Sequence, residues 1–196
     1  MKKIFFILVF FLFINNFANA YSSDPKQFIT EIVEEAKKIL VASNTKEVKE
    51  QKLSEMALKV ADIKGIGFYT LGSIRKQLSE EQLKEYAKLF EKYFLKSFTS
   101  RLSDYSDPKI KVVDAEVLNP KYTIVKSVLL ATDKKPEVKI DWRVYTKNPD
   151  KPLIRDLIVE GLSLARTQKE EFASVIQSND GDVKKLFETL KKFIDQ

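Results

Sequence analysis

Apolar residues recur every three or four positions from 24 to 103, alternate with polar ones from 110 to 160, and return to the longer spacing after 162. A period of 3.6 marks helices and a period of two marks half-buried strands. The pattern therefore predicts helices, then four strands, then helices. Asp24, Pro25 and Gln27 read as N-cap, N1 and N3 of a first helix with a capping box. Its stripe is Phe28, Ile29, Ile32, Val33, Ala36, Ile39 and Leu40. Thr45 caps a second helix that carries Leu53, Met56, Ala57 and Val60. Between 62 and 78 stand three of the chain's five glycines, Gly65, Gly67 and Gly72, yet Ile63, Ile66, Phe68, Leu71 and Ile74 keep helical spacing. That segment predicts one or two short helices loosened by glycine, each of which costs about 0.5–1 kcal/mol relative to Ala. Ser79, with Glu80 and Glu81 in the first turn and Gln82 at N3, opens the clearest helix. Its face is Leu83, Tyr86, Ala87, Phe90, Phe94, Phe98 and Leu102.

Ser106-Asp107-Pro108 is a turn, and the period then changes. Strands are predicted from Ile110 to about Leu118, from Tyr122 to Leu130, from Val138 to Tyr145 and from Leu153 to Glu160. Ile124, Lys126, Val128 and Leu130 share one face of the second. Val138, Ile140, Trp142 and Val144 form the apolar face of the third, which leaves Asp141 and Arg143 opposite as a solvated pair. Asp133–Pro136 is read as a hairpin loop, and Gly161 ends the fourth strand. Two helices close the chain, one starting near Ser163 and one carrying Val183, Leu186, Phe187, Leu190, Phe193 and Ile194, with Asn179-Asp180-Gly181 between them. The order defines an α+β fold, a helical layer packed on a curved four-stranded antiparallel sheet. Its layout is like the nuclear-transport-factor-2-like cone, a likeness of fold that does not give function.

Residues 1–20 stand apart from this domain. Lys2 and Lys3 precede an unbroken apolar run, Ile4 to Ile14, and Ala18-Asn19-Ala20 supplies small residues before Tyr21. This is the layout of a signal peptide cleaved after Ala20. As a helix the run would cover about 17 Å, roughly half of a ~30 Å hydrocarbon core, too short for a span. Of the 196 residues, 176 then remain as one domain, 21–196, and the net charge falls from +6 to +4 because the leader holds two of the 34 basic residues and none of the 28 acidic ones. So small an excess, interspersed with acids, does not point to nucleic acid. The domain is expected to be a monomer. The chain contains no His and no Cys. That removes Ser-His-Asp and Cys-His nucleophilic sites and the common His-based metal sites, and an exported domain without disulfides needs a core large enough to stand alone.

Three places could carry chemistry. Trp142, the one Trp, is either a core residue or a pocket wall. Asp156, set among apolar residues, is either a carboxylate bonded to a backbone N–H, Arg155 or Arg143, or a buried general base with a raised pKa. Ser163 follows Gly161 and suits the cap of the next helix, but Val159-Glu160-Gly161-Leu162-Ser163 lacks the Gly-x-Ser-x-Gly spacing of a nucleophile elbow.

The ordered set of segments resembles the MlaC, or toluene-tolerance, family of periplasmic phospholipid-binding proteins. The segments are Asp62-Ile63 with Leu71-Gly72, the Ser79–Gln82 helix start with Phe90 and Phe94, Arg101–Ser106, Val138–Trp142, Asp156 with Val159–Ser163, and Thr167–Ile176 with the Gly181 turn. Two departures are Ser73-Ile74-Arg75, where the family has an aromatic pair, and Phe68, where it has a basic residue. The resemblance implies a carrier with no reaction and no cofactor, its cargo a phospholipid. It would move between an outer-membrane lipoprotein–porin complex and an inner-membrane ABC transporter with an MCE-domain protein, so maintaining outer-membrane lipid asymmetry. With the apolar faces above, it implies a cavity between sheet and helices lined by Phe90, Phe94, Val128, Leu130, Ile140, Trp142, Val144, Ile158 and Leu162. Gly65, Gly67 and Gly161 are candidate hinges for opening it. Two other readings stay open on the residues alone: a cone-fold enzyme using Asp156, and a ligand-free envelope adaptor.

Overall fold

The computed structural model describes residues 21–133 and 136–196; the predicted leader and the middle of the predicted 133–136 hairpin loop lie outside the described residues. The helices are α1 (Pro25–Val41), α2 (Lys46–Val60), α3 (Ile63–Thr70), α4 (Glu80–Ser103), α5 (Leu164–Gln177) and α6 (Val183–Asp195), with a 3-10 turn at Gly72–Gln77. The strands are β1 (Ile110–Asn119), β2 (Tyr122–Leu129), β3 (Val138–Tyr145), β4 (Leu153–Val159) and β5 (Leu162–Ser163). They pair in chain order as a curved antiparallel meander. No helix among the described residues is long and apolar enough to cross a membrane.

The caps explain where the helices begin. Asp24 accepts from Gln27 N–H at 2.8 Å and Thr45 from Val48 N–H at 3.4 Å. Ser79 and Gln82 complete both bonds of a capping box, at 3.2 and 2.9 Å. At α1 the box is half made, because the Gln27 side chain donates to Glu31 instead of returning to the cap.

The sheet gains a fifth strand that the sequence reading lacks. Glu160 and Gly161 both take positive φ, 49° and 81°, the geometry of a two-residue hairpin turn whose twist matches that of its strands. The chain therefore folds back for two residues before α5 begins, with Ile158 opposite Ser163 and Val159 opposite Leu162.

Two hydrophobic cores result. One lies between the sheet and α1 and α2, and contains Phe28, Ile29, Ile32, Leu53, Val125 and Val144. The other is helical and is built from α3 to α6 around Tyr86, Phe90, Phe172 and Leu186. Helix α4 belongs to both, since its last turn places Leu102 against the first core. The joint between α2 and α3 fastens one to the other: Ala61 bridges Ile154 in parallel, and Asp62 N–H donates to the Ile154 carbonyl at 2.9 Å.

Gly65 and Gly67 lie inside α3, and close approach accounts for both. A Cβ on Gly65 would stand 2.4 Å from an Asp62 carboxylate oxygen, and one on Gly67 would stand 2.7 Å from the Phe90 ring.

Candidate functional site

The nine residues named as cavity lining do not come together. Phe90 and Phe94 belong to the helical core, their ring centroids 6.1 Å apart. Ile140, Trp142 and Val144 lie on the sheet face that meets α1 and α2, opposite Ser127, Val125 and Thr123 respectively. Val128 and Ile158 lie on the other face and are half-buried, while Leu130 and Leu162 are exposed.

The face of β2 that the helices bury is thus Thr123, Val125 and Ser127, not the set with Ile124, Val128 and Leu130. The two hydroxyls disguised it. Ser127 is buried because Trp142 Nε1 donates to its Oγ at 2.8 Å and that Oγ donates to the Ile140 carbonyl at 2.8 Å. The indole therefore has its polar partner inside the sheet, as a buried Trp requires.

The opposite face carries the charges. Register places Arg143 beside Asp156, and a bulge between the Arg143–Asp156 and Val144–Ile154 pairs makes Arg155 the extra residue. A bulge breaks strict alternation and re-aims a side chain. Arg155 and Asp156, though consecutive, consequently both serve this end of the sheet. Arg143 pairs with Asp156 rather than forming the expected solvated pair with Asp141.

The Asp156 side chain is 1% exposed. It accepts from Arg143 Nη1 at 3.2 Å, Ser163 Oγ at 2.6 Å and Ala165 N–H at 3.0 Å. Ser163 also caps α5, accepting from Arg166 N–H at 3.1 Å. The first turn of α5 is thereby held by one hydroxyl and one carboxylate, and negative charge is favoured at that end of a helix. These contacts realise the bonded-carboxylate alternative for Asp156 and the capping role for Ser163.

Arg155 is fully engaged. Its Nε donates to Asp62 Oδ2 at 2.7 Å, its Nη1 donates to Tyr122 OH at 2.9 Å, and its guanidinium lies 3.9 Å from the centre of the Tyr145 ring. Asp62 is also the N-cap of α3, accepting from Gly65 N–H at 2.9 Å. The Arg155–Asp62 pair therefore spans from sheet to helix.

Between these two arginines and α3 lies a cleft of about 270 Å³. Ile66, Tyr69 and Gly65 line it from α3, Tyr122, Arg143 and Arg155 from the sheet, and Leu118 and Ala165 complete the lining. Lys169 stands 5.4 Å from the centre of the Tyr69 ring and adds positive charge near that wall. A second, more open groove of about 390 Å³ runs between α3 and α4 past Phe68 and Leu83, with Lys64, Lys84, Lys88 and Glu80 along it. Among the described residues no cluster of acidic side chains is arranged to hold a metal ion.

An α+β protein whose helices pack on a curved antiparallel meander, with a cleft that joins apolar surface to paired arginines, is the class this geometry defines. The chain belongs to the MlaC family, whose model, described as MlaC protein, matches residues 26–192. Among solved structures it is similar to a phospholipid-binding protein from Ralstonia solanacearum, determined in complex with a phospholipid. That likeness has a TM-score of 0.72 at 20% sequence identity and covers 91% of this chain and 98% of the other. No curated protein matches.

Proposed function

We propose that this protein is a phospholipid carrier of the cell envelope. On this reading it is exported by its leader, cleaved after Ala20, and works in the periplasm between an outer-membrane lipoprotein–porin complex and an inner-membrane ABC transporter with an MCE-domain protein. Its task is to keep phospholipid out of the outer leaflet of the outer membrane. The observation that carries the reading is the phospholipid held by the Ralstonia solanacearum protein of the same fold, together with membership of the MlaC family.

Physical requirements agree with it. The two tails of a phospholipid carry about 30 methylenes, each worth ~0.8 kcal/mol of burial, so exposing them in transit would cost on the order of 20 kcal/mol. A carrier must enclose them. The cleft of about 270 Å³ is smaller than the usual ~300–1,000 Å³ of a small-ligand pocket, so loading requires α3 to part from the sheet. Ile66 lines this cleft and also belongs to the aromatic helical core with Phe90, so parting these elements leads into that core. Carriage of this kind calls for no reactive side chain and no cofactor.

Native mass spectrometry of the exported protein tests the proposal. The expected result is a mature chain beginning at Tyr21 with one phospholipid released on extraction. A chain recovered without lipid, and unable to take any from vesicles, would refute it.

A further inference from the structure

The groove between α3 and α4 gathers cations that have no acid to pair with. Elsewhere exposed lysines sit on carboxylates, as Lys126 does on Glu116 and Lys191 on Glu85, each at 2.8 Å. Lys64, Lys84 and Lys88 line the groove, all exposed, and none of them lies within ion-pair distance of an acid among the described residues. Glu80 is the one carboxylate in the lining, and Phe68, Leu83 and Ala87 are its apolar part. Arg75, also exposed, reaches the same place from the 3-10 turn: its guanidinium stands 4.6 Å from the centre of the Phe68 ring, and Lys64 Nζ stands 5.6 Å from it. Four cations and a single acid thus meet around an apolar strip.

We propose that this groove docks the protein on an anionic lipid bilayer, its cations meeting the phosphates of the head groups. The inference rests on the carrier reading for its setting and adds the surface of contact.

Three observations favour a bilayer over an acidic protein. Three of the four cations are lysines, compact point charges on flexible stems. Such groups follow mobile phosphates, whereas the fixed carboxylates of a protein are better met by the fork of a guanidinium. The groove runs between two helices, whose interior backbone groups bond within each helix, so it offers a bound segment no backbone bonds to set its register. The apolar strip lies among the lysines, and long side chains can lay their stems along apolar surface while their ammonium groups reach the head-group layer.

The site bears on loading, because α3 serves two surfaces. Lys64 and Phe68, one turn apart, line the groove, while Gly65, Ile66 and Tyr69 line the cleft. Docking therefore acts on the helix that must part from the sheet. It also brings the cleft to within about one helix diameter, ~10 Å, of the head groups.

The experiment floats the exported protein with vesicles of phosphatidylcholine, with and without phosphatidylglycerol. Binding is expected to the charged vesicles only, and it should weaken as salt shortens the Debye length from about 30 Å at 0.01 M to about 8 Å at 0.15 M. A double variant, Lys84→Gln with Lys88→Gln, should bind about 10- to 30-fold more weakly, the loss expected for two basic residues at an anionic surface. The control pair, Lys26→Gln with Lys38→Gln, removes the same charge from exposed positions of α1, which packs on β1, β2 and α2. It should stay within about threefold of the parent, since charges beyond a Debye length are screened. All four positions are exposed, and circular dichroism confirms that both variants are folded.

Equal losses in the two double variants would overturn the groove in favour of overall charge. Equal binding to neutral vesicles would overturn the electrostatic basis. Failure to float with charged vesicles, combined with tight binding of poly-L-glutamate, would overturn the bilayer in favour of an acidic protein. The carrier reading is scored separately by extraction: a protein that holds phospholipid but does not float refutes the docking surface alone, and one that floats but neither holds nor takes up phospholipid refutes the carrier reading.

Discussion

Replacing Asp156 by Asn keeps the shape of the side chain and removes its charge. Oδ1 can still accept from Ala165 N–H, but the other position becomes an NH₂ facing two donors, Ser163 Oγ and Arg143 Nη1. The hydroxyl can turn and accept; the guanidinium cannot. Removing one partner of a buried ion pair costs about 3–5 kcal/mol. Here the carboxylate side chain is 1% exposed but Arg143 is 32% exposed, and water can compensate part of the loss. About 2–4 kcal/mol is therefore expected. For a chain of this size each kcal/mol lowers Tm by roughly 2–4 °C, so the midpoint should fall by about 4–16 °C. Urea titration followed by Trp142 fluorescence, with calorimetry beside it, measures both quantities. A cycle with Arg143→Gln should return a coupling of about 1–3 kcal/mol. An Asp156→Asn variant within about 0.5 kcal/mol of the parent would refute the view that this carboxylate holds β3, β4 and α5 together.

Gly67→Ala places a Cβ 2.7 Å from the Phe90 ring; overpacking of about 1–3 kcal/mol outweighs a helix-propensity gain of about 0.5–1 kcal/mol, and denaturant titration should show a net loss of about 1–2 kcal/mol. Ser163→Ala removes both the α5 cap and a bond to Asp156 and should cost about 2 kcal/mol in the same titration, with Ser163→Thr recovering most of it. Tyr86 is enclosed with its hydroxyl on Thr70 at 2.7 Å, and burial raises its pKa above the usual tyrosine value of 10.0. The folded state thus holds the phenol proton more tightly than the unfolded chain does, so this contribution is complete below pH ~10 and is lost as pH rises through that value toward the folded pKa. Stability followed by circular dichroism should fall steeply in alkali, and Tyr86→Phe should reduce the slope by about 1.4 kcal/mol per pH unit. An unchanged slope would mean that the phenol titrates freely.

Helices were legible wherever a cap and a stripe coincided. Asp24, Thr45 and Ser79 all cap as their spacing indicates, and Leu53, Met56, Ala57 and Val60 are all buried on α2. The third strand was legible because its inner residues are apolar and its outer ones charged. The second was not, since both of its faces mix polar and apolar residues, and which one is buried depends on Trp142 reaching Ser127 from the neighbouring strand. Arg155 was missed for a related reason. Its place beside the cleft follows from a bulge opposite β3, and nothing local in Leu153–Val159 marks where pairing will slip. Trp142 and Asp156 drew attention through rarity and misplaced polarity.

Where α3 meets the sheet, the polar bonds are few and directional: Asp62 N–H to the Ile154 carbonyl, and Arg155 to Asp62 and Tyr122. Within each core the stabilisation is apolar area removed from water. These respond to salt in opposite senses. A partly exposed ion pair weakens as ions screen it, whereas an excluded salt such as sulfate strengthens burial. Ionic strength is thus a handle on the seam that leaves the cores intact, and a sulfate series should loosen the join between α3 and the sheet while raising the resistance of each half to denaturation.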